Sequence, residues 1–184
     1  MSSQLVFHLA TKKQLQHIRD GLNRISSQIW AILGEESFNL YIRYNQNADV
    51  FLVPAHMERY LRAVQDYKTL HHTGLFFGFL QKEKNEFLLS LEGAEFLFHT
   101  FYKQERIKLT TITVKNEAAS SFLYGNMLNP TDFLQSPKSL ARKEVIFVLN
   151  PIKQLIGIGY IYKREDRVEL RNLVDYGYYI RRGH

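Results

Sequence analysis

Ser121-Phe-Leu-Tyr-Gly-Asn126, then Ile146-Phe-Val-Leu-Asn150 and Leu155-Ile-Gly-Ile-Gly-Tyr160, then Asn172-Leu-Val-Asp-Tyr-Gly-Tyr-Tyr-Ile-Arg-Arg-Gly183: these four runs decide the reading of the C-terminal half. The first has the length and composition of a short helix seed. The second and third are β-rich runs joined by the turn Asn150-Pro-Ile-Lys153, so they read as a hairpin whose second strand carries G-x-G. The fourth ends on Tyr178–Arg181, a basic and aromatic stretch that reads as a closing strand.

Working outward, Val145–Leu149, Leu155–Tyr162, Val168–Leu170 and Tyr178–Arg181 are short strands separated by turn residues, among them the charged turn Lys163-Arg-Glu-Asp166. Such spacing suits a small closed or half-open barrel, which also removes exposed sheet edges. Upstream, Ile107–Val114 reads as a strand and Lys115-Asn-Glu-Ala-Ala-Ser120 as a helix entrance. Asn129-Pro-Thr-Asp132 and Ser136-Pro-Lys-Ser139 are loop signals flanking the apolar pair Phe133 and Leu134.

The N-terminal half alternates helical and strand patterns. Leu15, Ile18, Leu22, Ile25, Ile29 and Leu33 recur at spacings of three and four, predicting one amphipathic helix over about residues 11–33. Thr11 followed by Gln14 gives it a capping box, and Gly34 a stop. Phe38–Tyr44 and Val50–Val53 form one expected hairpin, Leu75–Leu80 and Phe87–Leu91 another. Between them Pro54 opens a second amphipathic helix through Met57, Tyr60, Leu61, Val64 and Tyr67, and a short aromatic helix is expected at about 93–102. The fold class is α+β: an N-terminal α+β domain over residues 1–105, with helices on an antiparallel sheet, and a small β-barrel domain over residues 106–184.

Charge supports the same division. Residues 1–105 carry 11 Lys/Arg and 11 Asp/Glu, whereas residues 106–184 carry 13 Lys/Arg and 7 Asp/Glu, so the whole net charge of +6 falls on the second segment. A localised basic excess favours polyanions through phosphate neutralisation and counterion release. The apolar content of 45% supports packed cores, and the chain has no cysteine, which excludes disulfides, thiolate metal sites and a cysteine nucleophile. No run approaches the length of a membrane span, and Met1-Ser-Ser-Gln-Leu-Val-Phe-His8 lacks the pattern of a signal peptide, so an intracellular chain without a membrane partner is expected.

Each chemical motif has a bland reading beside the functional one. Gly157-Ile-Gly159 lies in a strand with no helix after it, so close backbone approach explains it better than a phosphate loop. The histidines (His8, His17, His56, His71, His72, His99 and His184) form no pair at ligand spacing, and no metal site or other cofactor is expected. Ser120 and Ser121 lack the nucleophile-elbow context, and Asp175 reads as a turn-capping carboxylate before a general base. Catalysis therefore has no motif.

The basic residues carry more. Lys163, Arg164, Arg167 and Arg171 fall within nine residues at a turn and strand, Lys153 sits in the preceding turn, and Arg181 and Arg182 close the barrel. A guanidinium suits phosphate oxygens and stacking on bases. Tyr160 and Tyr162, with Tyr176, Tyr178 and Tyr179, interleave with them; such rings either stack unpaired bases or fill a small barrel. The candidate RNA-binding set is thus Lys153, Tyr160, Tyr162, Lys163, Arg164, Arg167, Arg171, Arg181 and Arg182.

Helix seed, G-x-G hairpin and basic aromatic ending together resemble a PUA domain, the RNA-binding barrel of pseudouridine synthases and archaeosine transglycosylases. The Phe-Leu-Tyr-Gly-Asn wording, Val145–Leu149, Leu155–Gly159 and Gly177–Arg181 are similar to the Nip-seven family of large-ribosomal-subunit biogenesis factors; Thr73–Leu80 and Phe87–Phe98 resemble it more loosely. The ending Arg-Arg-Gly-His is closer in style to archaeal members. The resemblance implies a non-catalytic protein whose PUA domain binds single-stranded uridine- or adenosine-rich RNA, and a monomer is expected. It implies action in pre-rRNA maturation with the pre-ribosomal particle and other assembly factors, protein contacts through the N-terminal domain, and RNA contacts at Lys163, Arg164, Arg167 and Arg171. The location implied is cytoplasmic in a prokaryote and nucleolar in a eukaryote. One departure stands out: where the family carries a glycine-containing loop, this chain has Leu128-Asn-Pro-Thr-Asp-Phe-Leu-Gln135. Two other readings compete: an accessory subunit targeting an RNA-modifying enzyme such as an rRNA methyltransferase, and an enzyme with its own pocket around a perturbed carboxylate or histidine.

Overall fold

The computed structural model describes residues 7–44, 46–64, 73–164 and 167–182, without the side chains of Arg62, Val64, Arg164, Tyr179, Ile180 and Arg182. Tyr67 of the second expected helix, His71, His72, His184, Glu165 and Asp166 lie outside the described residues. The chain divides into two compact units, Met1–Gly93 and Ala94–His184.

In the first unit, five strands form an antiparallel meander in the order β1-β2-β3-β4-β5: Phe7–Leu9, Phe38–Tyr44, Ala48–Pro54, Leu75–Leu80 and Phe87–Leu89. Alternation sends Leu40, Ile42, Val50 and Leu52 to one face. Tyr41, Phe51 and Val53 go to the other face, where they pack with Phe7, Phe76 and Leu61 of the helix α3 (Glu58–Val64).

The expected helix over 11–33 is two helices, α1 (Lys12–Asn23) and α2 (Gln28–Glu35). Thr11 does cap the first through the reciprocal bonds with Gln14. Apolar periodicity runs through the break because Ile18, Leu22, Ile29 and Leu33 all reach the core. What interrupts the helix is local: the Ile25 and Ile29 amides bond only three residues back, to the Leu22 and Ser26 carbonyls, and the Ser26 hydroxyl accepts from the Gln28 amide at 3.4 Å. Serine side chains offer the backbone an alternative to the helical ladder, a competition that periodicity does not register.

The helix α4 (Leu91–Phe96) passes into a π-helical segment, Leu97–Tyr102, with Leu97, Phe98 and Phe101 buried. Then come β6 (Thr111–Val114), α5 (Asn116–Leu123), β7 (Phe133–Gln135), β8 (Val145–Leu149), β9 (Leu155–Arg164) and β10 (Arg167–Asp175). The second sheet has the order β10-β9-β8-β6-β7, with β6 and β8 parallel and the other neighbours antiparallel. Leu128 bridges across to Leu170 of β10 through two backbone hydrogen bonds of 3.0 and 2.9 Å, which curls this five-stranded sheet toward closure. Ile112, Val114, Phe122, Ile146, Val148, Ile161 and Leu170 fill the inside, with α5 contributing Ala118, Ala119 and Phe122. An α+β chain with a small C-terminal β-barrel is the architecture expected from the sequence.

Gly157-Ile-Gly159 is the close approach predicted for it. A Cβ on Gly157 would lie 2.5 Å from the Val174 carbonyl oxygen, and one on Gly159 would lie 2.5 Å from that of Arg171. The glycines let β10 seat against β9 across the bulge between Asn172 and Val174.

The expected closing strand over Tyr178–Arg181 is instead a helix, α6 (Gly177–Arg182), so Arg181 and Arg182 do not close the barrel. The Leu128–Leu170 bridge does that work, while α6 is tied back by a side-chain clasp. β-Propensity of the Tyr-Tyr-Ile run is overridden by these tertiary contacts.

Candidate nucleic-acid interface

The β9–β10 hairpin builds the site. Its register pairs Tyr160 with Arg171, Tyr162 with Glu169, Lys163 with Val168 and Arg164 with Arg167. Because Ile161 and Leu170 point into the core, Tyr160, Tyr162, Glu169 and Arg171 share the opposite face. Lys163 is in phase with Ile161 and is exposed; Arg167 is also exposed and is in phase with Glu169 and Arg171.

On that face the Arg171 guanidinium lies 3.5 Å from the centroid of the Tyr162 ring. Along its edge Nη2 stands 3.4 Å from Glu169 Oε2, and the Tyr160 side chain is its cross-strand neighbour. The neighbouring Tyr160 is the main cause that keeps the Arg171 pKa above its ordinary value, with burial opposing and Glu169 assisting. The guanidinium is therefore permanently charged, stacked and pinned.

Two basic residues join the site that the sequence reading did not place. The Lys143 amide donates to the Ile161 carbonyl at 2.8 Å, which sets Arg142 and Lys143, both exposed, beside the outer end of β9. The available signal was the basic pair just ahead of Val145–Leu149. Nearby Glu144 is turned to the protein, accepting from the Thr110 hydroxyl at 2.6 Å and the Ala141 amide at 2.7 Å. Among the described residues, none of Lys143, Lys163 and Arg167 is in an ion pair.

Three predicted members fall elsewhere. Lys153 sits at the opposite end of β9, about 30 Å away for ten extended residues. There its ammonium donates to the Thr113 hydroxyl at 2.7 Å and to the Gln135 side chain. Arg181 donates to both carboxylate oxygens of Asp175, at 3.1 and 3.0 Å, and to the Leu123 carbonyl at the end of α5. Asp175 is fully buried and also accepts from Asn172, whose amide reaches the Phe122 carbonyl. It is thus the anchor of a clasp between β10, α5 and α6. Arg182 lies on α6.

Among the described residues no group of three His, Asp or Glu is placed to hold a metal ion, and no helix is long and apolar enough to cross a membrane.

Residues 110–184 match the family described as the UPF0113 PUA domain. No curated protein matches the chain. Three solved archaeal structures are similar to it. A hypothetical protein from Pyrococcus horikoshii aligns with TM-score 0.58 at 10% identity, over 95% of this chain and 99% of that one. A PUA domain from Aeropyrum pernix, solved as a tartrate complex, gives 0.54 at 13% identity, over 94% of this chain and 87% of that one. A conserved PUA domain protein from Thermoplasma acidophilum gives 0.52 at 13% identity, over 96% and 98%. At such identities the likeness shows the fold alone. The five-stranded sheet bridged from Leu128 to Leu170, with α5 packed in its core, together with the family match, identifies residues 110–184 as a PUA domain of the UPF0113 type.

Proposed function

We propose that this chain is a non-catalytic RNA-binding factor that grips single-stranded, uridine- or adenosine-rich RNA and assists pre-rRNA maturation and large-subunit assembly. PUA domains generally bind RNA, and here the domain carries a cationic rim of Lys143, Lys163 and Arg167 beside the aromatic face of Tyr160, Tyr162 and Arg171. That juxtaposition is the observation that carries the proposal. The rim neutralises phosphates, and the face meets unpaired bases, which expose the π-surfaces that duplexes hide. The ribosomal assignment rests on the similarity of Ser121–Asn126 and Gly177–Arg181 to the Nip-seven family. A cytoplasmic location in a prokaryote, or a nucleolar one in a eukaryote, follows from the same assignment.

The direct test is titration of a uridine-rich oligonucleotide across a salt series. Phosphate contacts by Lys143, Lys163 and Arg167 give a log–log slope of about −2, from roughly −0.7 per phosphate. Binding that is absent at low salt, or indifferent to salt, overturns the proposal.

A further inference from the structure

We propose that Arg171 serves as a stacking seat for one unpaired base and not as a phosphate clamp, so that within one patch base contact and phosphate contact belong to different residues. This rests on the RNA-binding reading above and assigns the chemistry of its central residue.

The argument starts from what a guanidinium has to offer: five N–H donors around its edge and two flat faces. A phosphate fork needs at least two neighbouring edge donors aimed at solvent. In Arg171 the edge is largely committed. Nη2 faces Glu169 Oε2 at 3.4 Å, and Nε is buried without a partner, out of a ligand's reach. A carboxylate held at that edge also repels an incoming phosphate. One flat face lies on the Tyr162 ring at 3.5 Å. Yet about a third of the side chain stays accessible, at 35% relative exposure. With Nε buried, Nη2 turned to a carboxylate and one face covered, the broadest resource left to a ligand is the other face.

A planar cation backed by an aromatic ring is a fitting platform for a nucleobase, since every base has a π-face and Arg adds a cation–π contribution. The pinning matters, because a guanidinium already held by the Tyr162 ring and Glu169 loses little rotamer freedom when a base arrives. Lys143, Lys163 and Arg167 contrast with it: they are exposed and, among the described residues, in no ion pair. Phosphate contact falls to them. The register sets Arg167 on the same face as Arg171, four residues along β10, about 13 Å, so a base and a phosphate of one short segment reach both at once.

The experiment uses the full chain and two uridine-rich oligonucleotides of equal length and charge, one intact and one carrying abasic positions, titrated over a salt series. Wild type binds the intact strand more tightly, by roughly 5- to 150-fold for a single stacked base. Arg171→Ala brings the intact strand down to the affinity of the abasic one, while its salt slope stays at the wild-type value. Arg171→Lys, which keeps the charge and loses the plane, behaves like the alanine variant. Lys163→Ala with Arg167→Ala does the reverse: the slope shrinks by about 1.4 and the preference for bases persists. If Arg171→Ala instead lowers the slope by about 0.7 and leaves the base preference intact, or if Arg171→Lys restores wild-type behaviour, the stacking assignment is overturned. A wild-type chain that binds neither strand defeats the RNA reading itself, a result distinct from either.

Discussion

At Arg181 the guanidinium donates to both oxygens of Asp175 and to the Leu123 carbonyl, with Asn172 bound to the same carboxylate. The Asp175 bonds raise its pKa above the ordinary value, so its charge is constant at any physiological pH. Removing it should therefore loosen the C-terminal helix without changing the salt dependence of RNA binding. For Arg181→Ala we expect faster amide exchange over residues 177–182, by hydrogen-exchange mass spectrometry, with an unaltered binding slope. A slope reduced by about 0.7 would make Arg181 a phosphate contact and the clasp incidental. At this scale the sequence was a poor guide. It ranked arginines by type and spacing, whereas Arg181 and Arg171 differ in which partners fill their donors, and those partners lie up to 58 residues away.

At the scale of the element, the strands were the most legible part. Phe38–Tyr44, Leu75–Leu80 and Val145–Leu149 have the limits read from apolar content and turn residues, because strand ends are set by local chemistry. The β9–β10 hairpin extends further than read, through Arg164 and on to Asp175, since pairing with a neighbour recruits polar residues that propensity alone leaves out. Its length also explains why Lys153 and Lys163, ten residues apart, belong to different poles, while Arg171 folds back beside Tyr162. The G-x-G strand was read correctly, and it supplies a test. In Gly157→Ala the new Cβ would meet the Val174 oxygen at 2.5 Å and the Asp175 Cα at 2.7 Å, on a backbone with φ of +154°. Both contacts are backbone atoms that cannot swing aside. We expect a loss of about 1–3 kcal/mol in stability, seen as a lower denaturant midpoint. An unchanged midpoint would show that β10 accommodates the methyl group by shifting.

For the whole molecule, charge and fold are distributed together: the segment that carries the +6 excess contains the PUA domain, and the preceding 105 residues are neutral. Crosslinking in the native cell, followed by sequencing of the RNA and mass spectrometry of the peptides, examines both halves of the proposal. Reads should concentrate on single-stranded segments of large-subunit pre-rRNA, and crosslinked peptides should come from about 141–171. Reads spread over tRNA or mRNA would remove the ribosomal role and leave the RNA-binding one; peptides from residues 1–93 would move the site.

By itself the sequence determined the class of the fold, the neighbourhood of its strands and the half of the chain that attracts polyanions, because apolar periodicity, turn chemistry and net charge are sums over local residues. Only the tertiary structure decided that the last six described residues are helical, that Lys143 stands beside the outer end of β9, that Lys153 does not, that Arg171 lies on the Tyr162 ring and that Arg181 is bound to Asp175. Those outcomes depend on strand register and on which distant side chain or carbonyl reaches a given donor, and pairing across the fold is information that no window along the chain contains.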